Sequence, residues 1–127
     1  MVRLALALVL LAASAEPGEP LWRVVAYCAC PECCPPPRAV PGITASGRRP
    51  VAGLTLACPE SLALGTWLRL TVPGVRPDGS AGVRLMRCDD RGQAIVGRTL
   101  DLYHDSHAEA VRWGVRSATV EVLHADR

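Results

Sequence analysis

The chain has 127 residues, a formal charge of +2 and six cysteines. That length suits one domain around one core, and so small a charge, carried by arginines spread along the chain without a basic run, excludes an electrostatic nucleic-acid binder. Phenylalanine is absent, so core volume must come from Val, Leu, Ile and Ala with Trp22, Trp67, Trp113, Tyr27 and Tyr103.

Residues 1–15 read as an export signal. Arg3 is a minimal basic region, Leu4 to Ala12 an apolar run, and Ala13-Ser14-Ala15 a small-x-small cleavage site. The apolar run is too short to span a bilayer, and an uncleaved N-terminal anchor is the alternative. The mature chain is expected to start near Glu16 and to carry no further membrane segment. Its expected place is the periplasm, the outer-membrane face or outside the cell. Residues 16–20 form a leader, and residues 21–127 form one domain.

Leu21 to Cys28 is rich in aromatic and β-branched residues and reads as a strand. Cys28 to Pro37 is a stiff loop, because proline fixes φ and removes donors. Ile43 to Gly47 reads as a short strand entering a glycine turn. Leu54 to Ala57 is a strand, and Leu62 to Gly65 a loop with Leu62 and Leu64 as buried plugs. Trp67 to Val72 alternates, with Leu68, Leu70 and Val72 on one face. Pro73 to Ala81 carries Pro-Gly and Asp-Gly turn dipeptides, and Val83 to Cys88 is the returning strand.

The segment from Asp89 to His107 holds four aspartates and two histidines between apolar runs. Gathering acids away from water is costly, through charge repulsion and desolvation. Leu100 and Leu102 can anchor Asp101 on a short buried strand with its side chain on the opposite face. Ser106 with Glu109 forms a capping box that opens a helix, and Gly114 closes it. Ser117 to Leu123 is the last strand, with Ala118, Val120 and Val122 inward and Thr119 and Glu121 outward. The expected fold is mainly β, a small six-stranded barrel with one short α-helix, since closure removes exposed strand edges.

All six cysteines, Cys28, Cys30, Cys33, Cys34, Cys58 and Cys88, are possible disulfide partners in an exported small domain. Cys58 and Cys88 lie at strand ends flanking the acidic segment, where a disulfide would staple the barrel. The alternative is a zinc or other thiolate site using Cys30-x2-Cys33 with Cys28 or Cys34. Only one such pair exists, so no metal site is expected. A thiol or metal-binding module therefore stands as one alternative for the whole chain.

Several motifs carry a family resemblance in one order. They are Ala26-Tyr27-Cys28-Ala29-Cys30 with Cys33-Cys34, Gly42-Ile43-Thr44-Ala45-Ser46-Gly47, Leu64-Gly65-Thr66, Asp90-x-Gly92-x-Ala94-Ile95-x-Gly97, Asp101-Leu102-Tyr103-x-Asp105-Ser106-His107-x-Glu109-Ala110 and Trp113-Gly114. Together they resemble the 3D domain, a family named for three aspartates. It includes the catalytic domain of membrane-bound lytic transglycosylase A and small secreted cell-wall proteins. The resemblance covers about residues 22–123. It implies a double-psi β-barrel and cleavage of peptidoglycan between N-acetylmuramic acid and N-acetylglucosamine. Asp101 falls on the family's catalytic acid and Asp90 on its second aspartate. Cys58 stands where the third aspartate is usual, and Gln93, Val96 and Arg98 replace a usual glycine, lysine and asparagine. Asp90-Arg91-Gly92 with Gly97-Arg98-x-Leu100-Asp101-Leu102 is also similar to rare lipoprotein A and expansin-like domains, which share the double-psi barrel and include glycan binders that do not cleave.

A glycosidic oxygen leaves only when protonated, which needs a carboxylic acid still protonated near neutral pH. Free Asp, with a pKa of about 3.9, is ionised there, and burial with a second carboxylate raises it. Asp101 is thus the expected acid/base, with Asp90 supporting an oxocarbenium-like state. The products would be 1,6-anhydromuramoyl. Thr44, Ser46, Arg91 and Tyr103 are candidate substrate-binding residues, set against turn stabilisation and core packing. Arg91 and Arg98 are candidates to pair with either aspartate. Tyr27 and Trp67 are candidates to stack on a sugar. Asp105 reads as a helix cap, His107 as surface or structural, and Asp89 as solvated. No cofactor is expected, and the expected partner is the peptidoglycan glycan strand. An inactive glycan-binding barrel is the second alternative.

Overall fold

The computed structural model describes residues 19–35, 42–73 and 82–125. The export signal, the start of the leader, the end of the proline loop and the turn at 74–81 lie outside the described residues. Six strands and one helix follow in order: β1 (Trp22–Tyr27), β2 (Thr55–Ala57), β3 (Thr66–Val72), β4 (Gly82–Asp90), β5 (Thr99–Tyr103), α1 (His107–Trp113) and β6 (Arg116–Ala125). The strands close into a barrel in the order β1-β5-β2-β4-β3-β6. The pairs β1–β5 and β2–β4 are parallel, and the other pairings are antiparallel. The mainly β, six-stranded barrel with one short helix is the architecture expected from the sequence.

The alternation read along β3 appears in the barrel: Leu68, Leu70 and Val72 are buried while Arg69 is exposed. With Val24, Leu56, Met86, Leu100, Leu102 and Ala118 they fill the interior. Each large buried side chain contributes roughly 1.5–3 kcal/mol. The exposed Arg69–Glu121 pair, at 2.8 Å, contributes under about 1 kcal/mol. The core therefore holds the barrel, not its surface charges. α1 packs on β1, with Trp113 buried and its indole N–H donating to the Val24 carbonyl at 3.2 Å. Ser106 caps α1 by accepting from the Glu109 N–H, and Gly114 ends it with a positive φ of 65°, a region glycine enters without steric cost.

Three local expectations differ from the structure. Residues 43–47 form a turn, not a strand, because Thr44 N–H and its hydroxyl both bond the Arg48 carbonyl and close the chain on itself. Val122 is exposed; the β3–β6 register shifts between Trp67 and Leu68, which breaks the inward alternation. Leu62 and Leu64 are half-buried, Leu62 against the core. Among the described residues no helix is long and apolar enough to cross a membrane.

Candidate active site

β2 lies between β4 and β5, and this places the two acids. Ala57 at the end of β2 pairs with Asp90 of β4 on one side and with Asp101 of β5 on the other. Two strand spacings separate the Asp90 and Asp101 backbones by roughly 10 Å. All three residues line one groove of about 390 Å³. The small side chain of Ala57 leaves its floor open between them.

The β2–β4 register shifts between Leu56, which pairs with Cys88, and Ala57, which pairs with Asp90. A bulge of this kind re-aims the side chains beside it. Asp89 is skipped and buried, its Oδ2 accepting from Arg87 Nε at 2.8 Å. This corrects the expectation that Asp89 is solvated: the extra residue sends it to the protein side and leaves Asp90 on the groove.

The two groove acids have opposite surroundings. Asp90 accepts from the Tyr27 hydroxyl at 2.7 Å, the Ala45 N–H at 3.0 Å and the Arg91 N–H at 2.9 Å. Asp101 has Oδ1 buried with no hydrogen-bond partner among the described residues. Burial first, and the negative charge of Asp90 second, push the Asp101 carboxyl up from 3.8 to about 7. Burial, reinforced by the bond to Asp90, also raises the Tyr27 phenol far above its ordinary value, so Tyr27 serves Asp90 as a neutral donor. The Tyr103 phenol is raised by burial and by nearby Asp105.

The other candidates divide. Tyr103 lines the groove and meets Tyr27 edge-on at 5.6 Å between ring centroids. Arg91 also lines it, but its guanidinium donates to the Cys58 carbonyl at 3.0 Å and the Pro59 carbonyl at 2.6 Å. It pairs with neither aspartate among the described contacts, because those two carbonyls hold its head group. Thr44 lines the groove, yet its hydroxyl is engaged with Ser46 Oγ at 2.9 Å and with the Arg48 carbonyl. Ser46 sits in the same turn and donates its N–H to the Asp89 carbonyl. Arg98 and Asp105 are exposed. Trp67 lies away from the groove, stacked on His124 with Arg87 over its ring.

Cys58 and Cys88 form a disulfide, as their place at strand ends suggested. It ties the residue after Ala57 to the strand that carries Asp90. Cys28, Cys30, Cys33 and Cys34 are free thiols in this structure. Three of them gather around the His107 ring, and Cys34 Sγ bonds the Cys28 carbonyl at 3.5 Å. Sequence reasoning missed Ala57 as the floor and the Ala45 N–H as a donor. It also missed the Tyr27 hydroxyl as the Asp90 partner. The only sequence signal for Ala57 was its place beside Cys58, at the position of the third aspartate.

The geometry can be compared with known proteins. The structure of E. coli lytic transglycosylase MltA in one apo form is 27% identical with a TM-score of 0.56, covering 72% of this chain and 30% of that one. A crystal structure of E. coli MltA with bound chitohexaose is 26% identical with a TM-score of 0.56, covering 71% and 30%. The membrane-bound lytic murein transglycosylase from Agrobacterium tumefaciens is 27% identical with a TM-score of 0.54, covering 64% and 25%. The chain thus spans under a third of the length of these enzymes. Among curated proteins none matches significantly. The 3D domain family matches residues 55–124, over half the chain and a span that holds Ala57, Asp90 and Asp101, so the chain belongs to the 3D domain family.

Proposed function

We propose that this chain is an exported lytic transglycosylase that cleaves the glycosidic bond between N-acetylmuramic acid and N-acetylglucosamine in peptidoglycan turnover. The observation that carries the reading is the Asp90–Ala57–Asp101 arrangement: two acids on one groove, one held by donors and the other half-buried with one buried, unpartnered oxygen among the described residues. The likeness to solved lytic transglycosylases, one with a chitooligosaccharide bound, supports the substrate class. The N-terminal signal pattern supports export to the periplasm, the outer-membrane face or beyond the cell.

In this reading Asp101, whose carboxyl is held near 7 and so is in good part protonated at neutral pH, gives its proton to the glycosidic oxygen as the bond from C1 of the muramoyl sugar breaks. Asp90 stabilises the oxocarbenium-like centre, fixed in place by Tyr27, Ala45 and the Arg91 N–H. The Asp101 carboxylate then takes the proton of the C6 hydroxyl, whose oxygen bonds C1 and closes the 1,6-anhydro ring. Asp101 ends protonated, ready for another turn, and no water is consumed. Tyr103 on the groove wall supplies an apolar face to a sugar ring. Arg91 contributes to the site by holding the chain at Cys58 and Pro59 and by its backbone donor to Asp90.

The test is to incubate the full chain and its Asp101→Asn variant with purified peptidoglycan and to weigh the soluble muropeptides. Products about 18 Da lighter than hydrolytic ones, absent with the variant, are expected, because the hydroxyl replaces water as acceptor. Products of hydrolytic mass would retain the glycosidase and change its acceptor. A second reading, a glycan-binding barrel without cleavage, is favoured by one observation: Cys58, at the position of the family's third aspartate, is consumed in a disulfide. Binding to the wall with no soluble product from either protein is the outcome that selects it.

A further inference from the structure

We infer that Cys28, Cys30, Cys33 and His107 form a structural zinc site that braces one wall of the groove. This inference stands apart from the catalytic reading and uses none of its residues.

The topology builds the site. β1 and β5 are parallel, with Tyr27 beside Tyr103 at their ends, and the His104 N–H donates to the Tyr27 carbonyl at 2.8 Å. Two strands that end side by side deliver the segments that follow them to one place. After β1 comes the cysteine loop, which turns back with the Cys34 N–H on the Cys30 carbonyl at 2.8 Å. After β5 comes the entry to α1, whose first residue is His107. The four ligand atoms all lie within 4.8 Å of one another.

The spacing has the dimensions of a tetrahedron. Zinc–thiolate and zinc–imidazole bonds at tetrahedral angles require edges of about 3.8 Å between sulfurs and about 3.6 Å between sulfur and nitrogen. Here His107 Nδ1 lies 4.0 Å from Cys28 Sγ, 3.4 Å from Cys30 Sγ and 3.6 Å from Cys33 Sγ. Cys28 Sγ and Cys33 Sγ are 3.7 Å apart, too far for a covalent bond. The donor set of three sulfurs and one imidazole selects zinc among common divalent ions, and four protein ligands leave no open position, which marks a structural site.

The imidazole is also oriented from behind. His107 Nε2 lies 3.3 Å from Glu32 Oε2. A carboxylate on the far nitrogen holds the proton there and leaves Nδ1 free to face the thiols, the arrangement usual for metal-bound histidine. Glu32 comes from the same cysteine loop, so the loop supplies three ligands and the group that aims the fourth. Cys34 is excluded from the set; it faces the groove with Cys33 and Ala29. The metal would therefore pin the loop that forms this wall to the helix that follows Tyr103.

The full chain, purified without oxygen or chelator from zinc-supplemented cells, is to be measured for metal by mass spectrometry and then reloaded with cobalt. About one zinc per chain is expected, with the absorption of a tetrahedral cobalt–thiolate centre after exchange. Zinc content is expected to fall at least about tenfold in Cys30→Ser and His107→Ala and to stay unchanged in Cys34→Ser. The cobalt spectrum uses the unaltered protein, so a variant that fails to fold does not obscure the result. A metal-free chain with four titratable thiols, disulfides among Cys28, Cys30 and Cys33, stoichiometric copper or iron, or zinc lost with Cys34→Ser and kept with His107→Ala would each overturn the assignment.

Discussion

Asp90 and Asp101 flank Ala57, each paired to it from an adjacent strand. They therefore line one groove and differ in their hydrogen-bond surroundings. Asp90 accepts from three donors, while a buried oxygen of Asp101 has no partner among the described residues. Such an asymmetry separates an acid from a charge-bearing partner. With the Asp101 carboxyl near 7, kcat/KM for peptidoglycan cleavage should decline as pH rises through about 7. Asp90→Asn removes the smaller of the two causes that raise Asp101, so the residual activity should decline at a lower pH, still above the ordinary carboxylate range. A limb that does not move in this variant would show that Asp90 does not act on Asp101.

The same group should leave a signature in stability. Asp101 titrates near 7 when folded and near its ordinary 3.8 when unfolded. Between these values the folded chain keeps a proton that the unfolded chain has released. Stability therefore falls as pH rises from about 4 to about 7 and levels off above, because the native state binds more protons. Asp101→Asn removes this slope. Its melting temperature should match the wild type near pH 4 and exceed it by several degrees at pH 8. Parallel melting curves for the two proteins across this range would refute the assignment.

Much of this was legible in the residues. The period-two pattern of Leu68, Leu70 and Val72 and the isolated Leu100-Asp101-Leu102 run place β3 and β5, because one buried face forces alternation. The capping box at Ser106 and Gly114 bounds α1. What was not legible depends on contacts between distant segments. The family motif singles out Asp90, but the burial of its neighbour Asp89 follows only from the bulge opposite Ala57, which sends that side chain inward. Thr44 stood in sequence as either a sugar ligand or a turn stabiliser, and the bond from its hydroxyl to the Arg48 carbonyl depends on how its turn closes. His107 read as surface or structural and is exposed; its neighbours Cys28, Cys30 and Cys33 were not legible, because the parallel pairing of β1 with β5 is what brings them to it.

Tyr27 is placed to act through Asp90, not through substrate stacking. Its hydroxyl meets Asp90 Oδ2 at 2.7 Å and its ring is buried beside Tyr103. Tyr27→Phe keeps the ring and deletes the bond, which should cost about 1.5–3 kcal/mol of stability, the range for a hydrogen bond to a charged acceptor. Freed of one donor, the Asp90 side chain should lose its set position, and cleavage should fall roughly ten- to hundredfold. If Tyr27 merely stacked on sugar, the variant would retain the wild-type rate at saturating substrate. Comparing kcat with KM in Tyr27→Phe and in Tyr103→Phe decides between these roles.

The Cys58–Cys88 disulfide closes a sequence separation of 30 residues. In the chain-entropy account a loop of this size stabilises by about 3–4 kcal/mol. Its position adds a local effect. Cys58 follows Ala57 and donates its N–H to the Asp90 carbonyl at 3.1 Å, and Cys88 lies two residues before Asp90. Reduction should therefore lower the melting temperature and loosen the register that presents Asp90 to the groove. The double variant Cys58→Ser, Cys88→Ser should melt where the reduced wild type melts, and a phosphine reductant should not move it further. If the reductant still lowered the melting temperature of the double variant, the sensitivity would belong to the other cysteines, not to this disulfide.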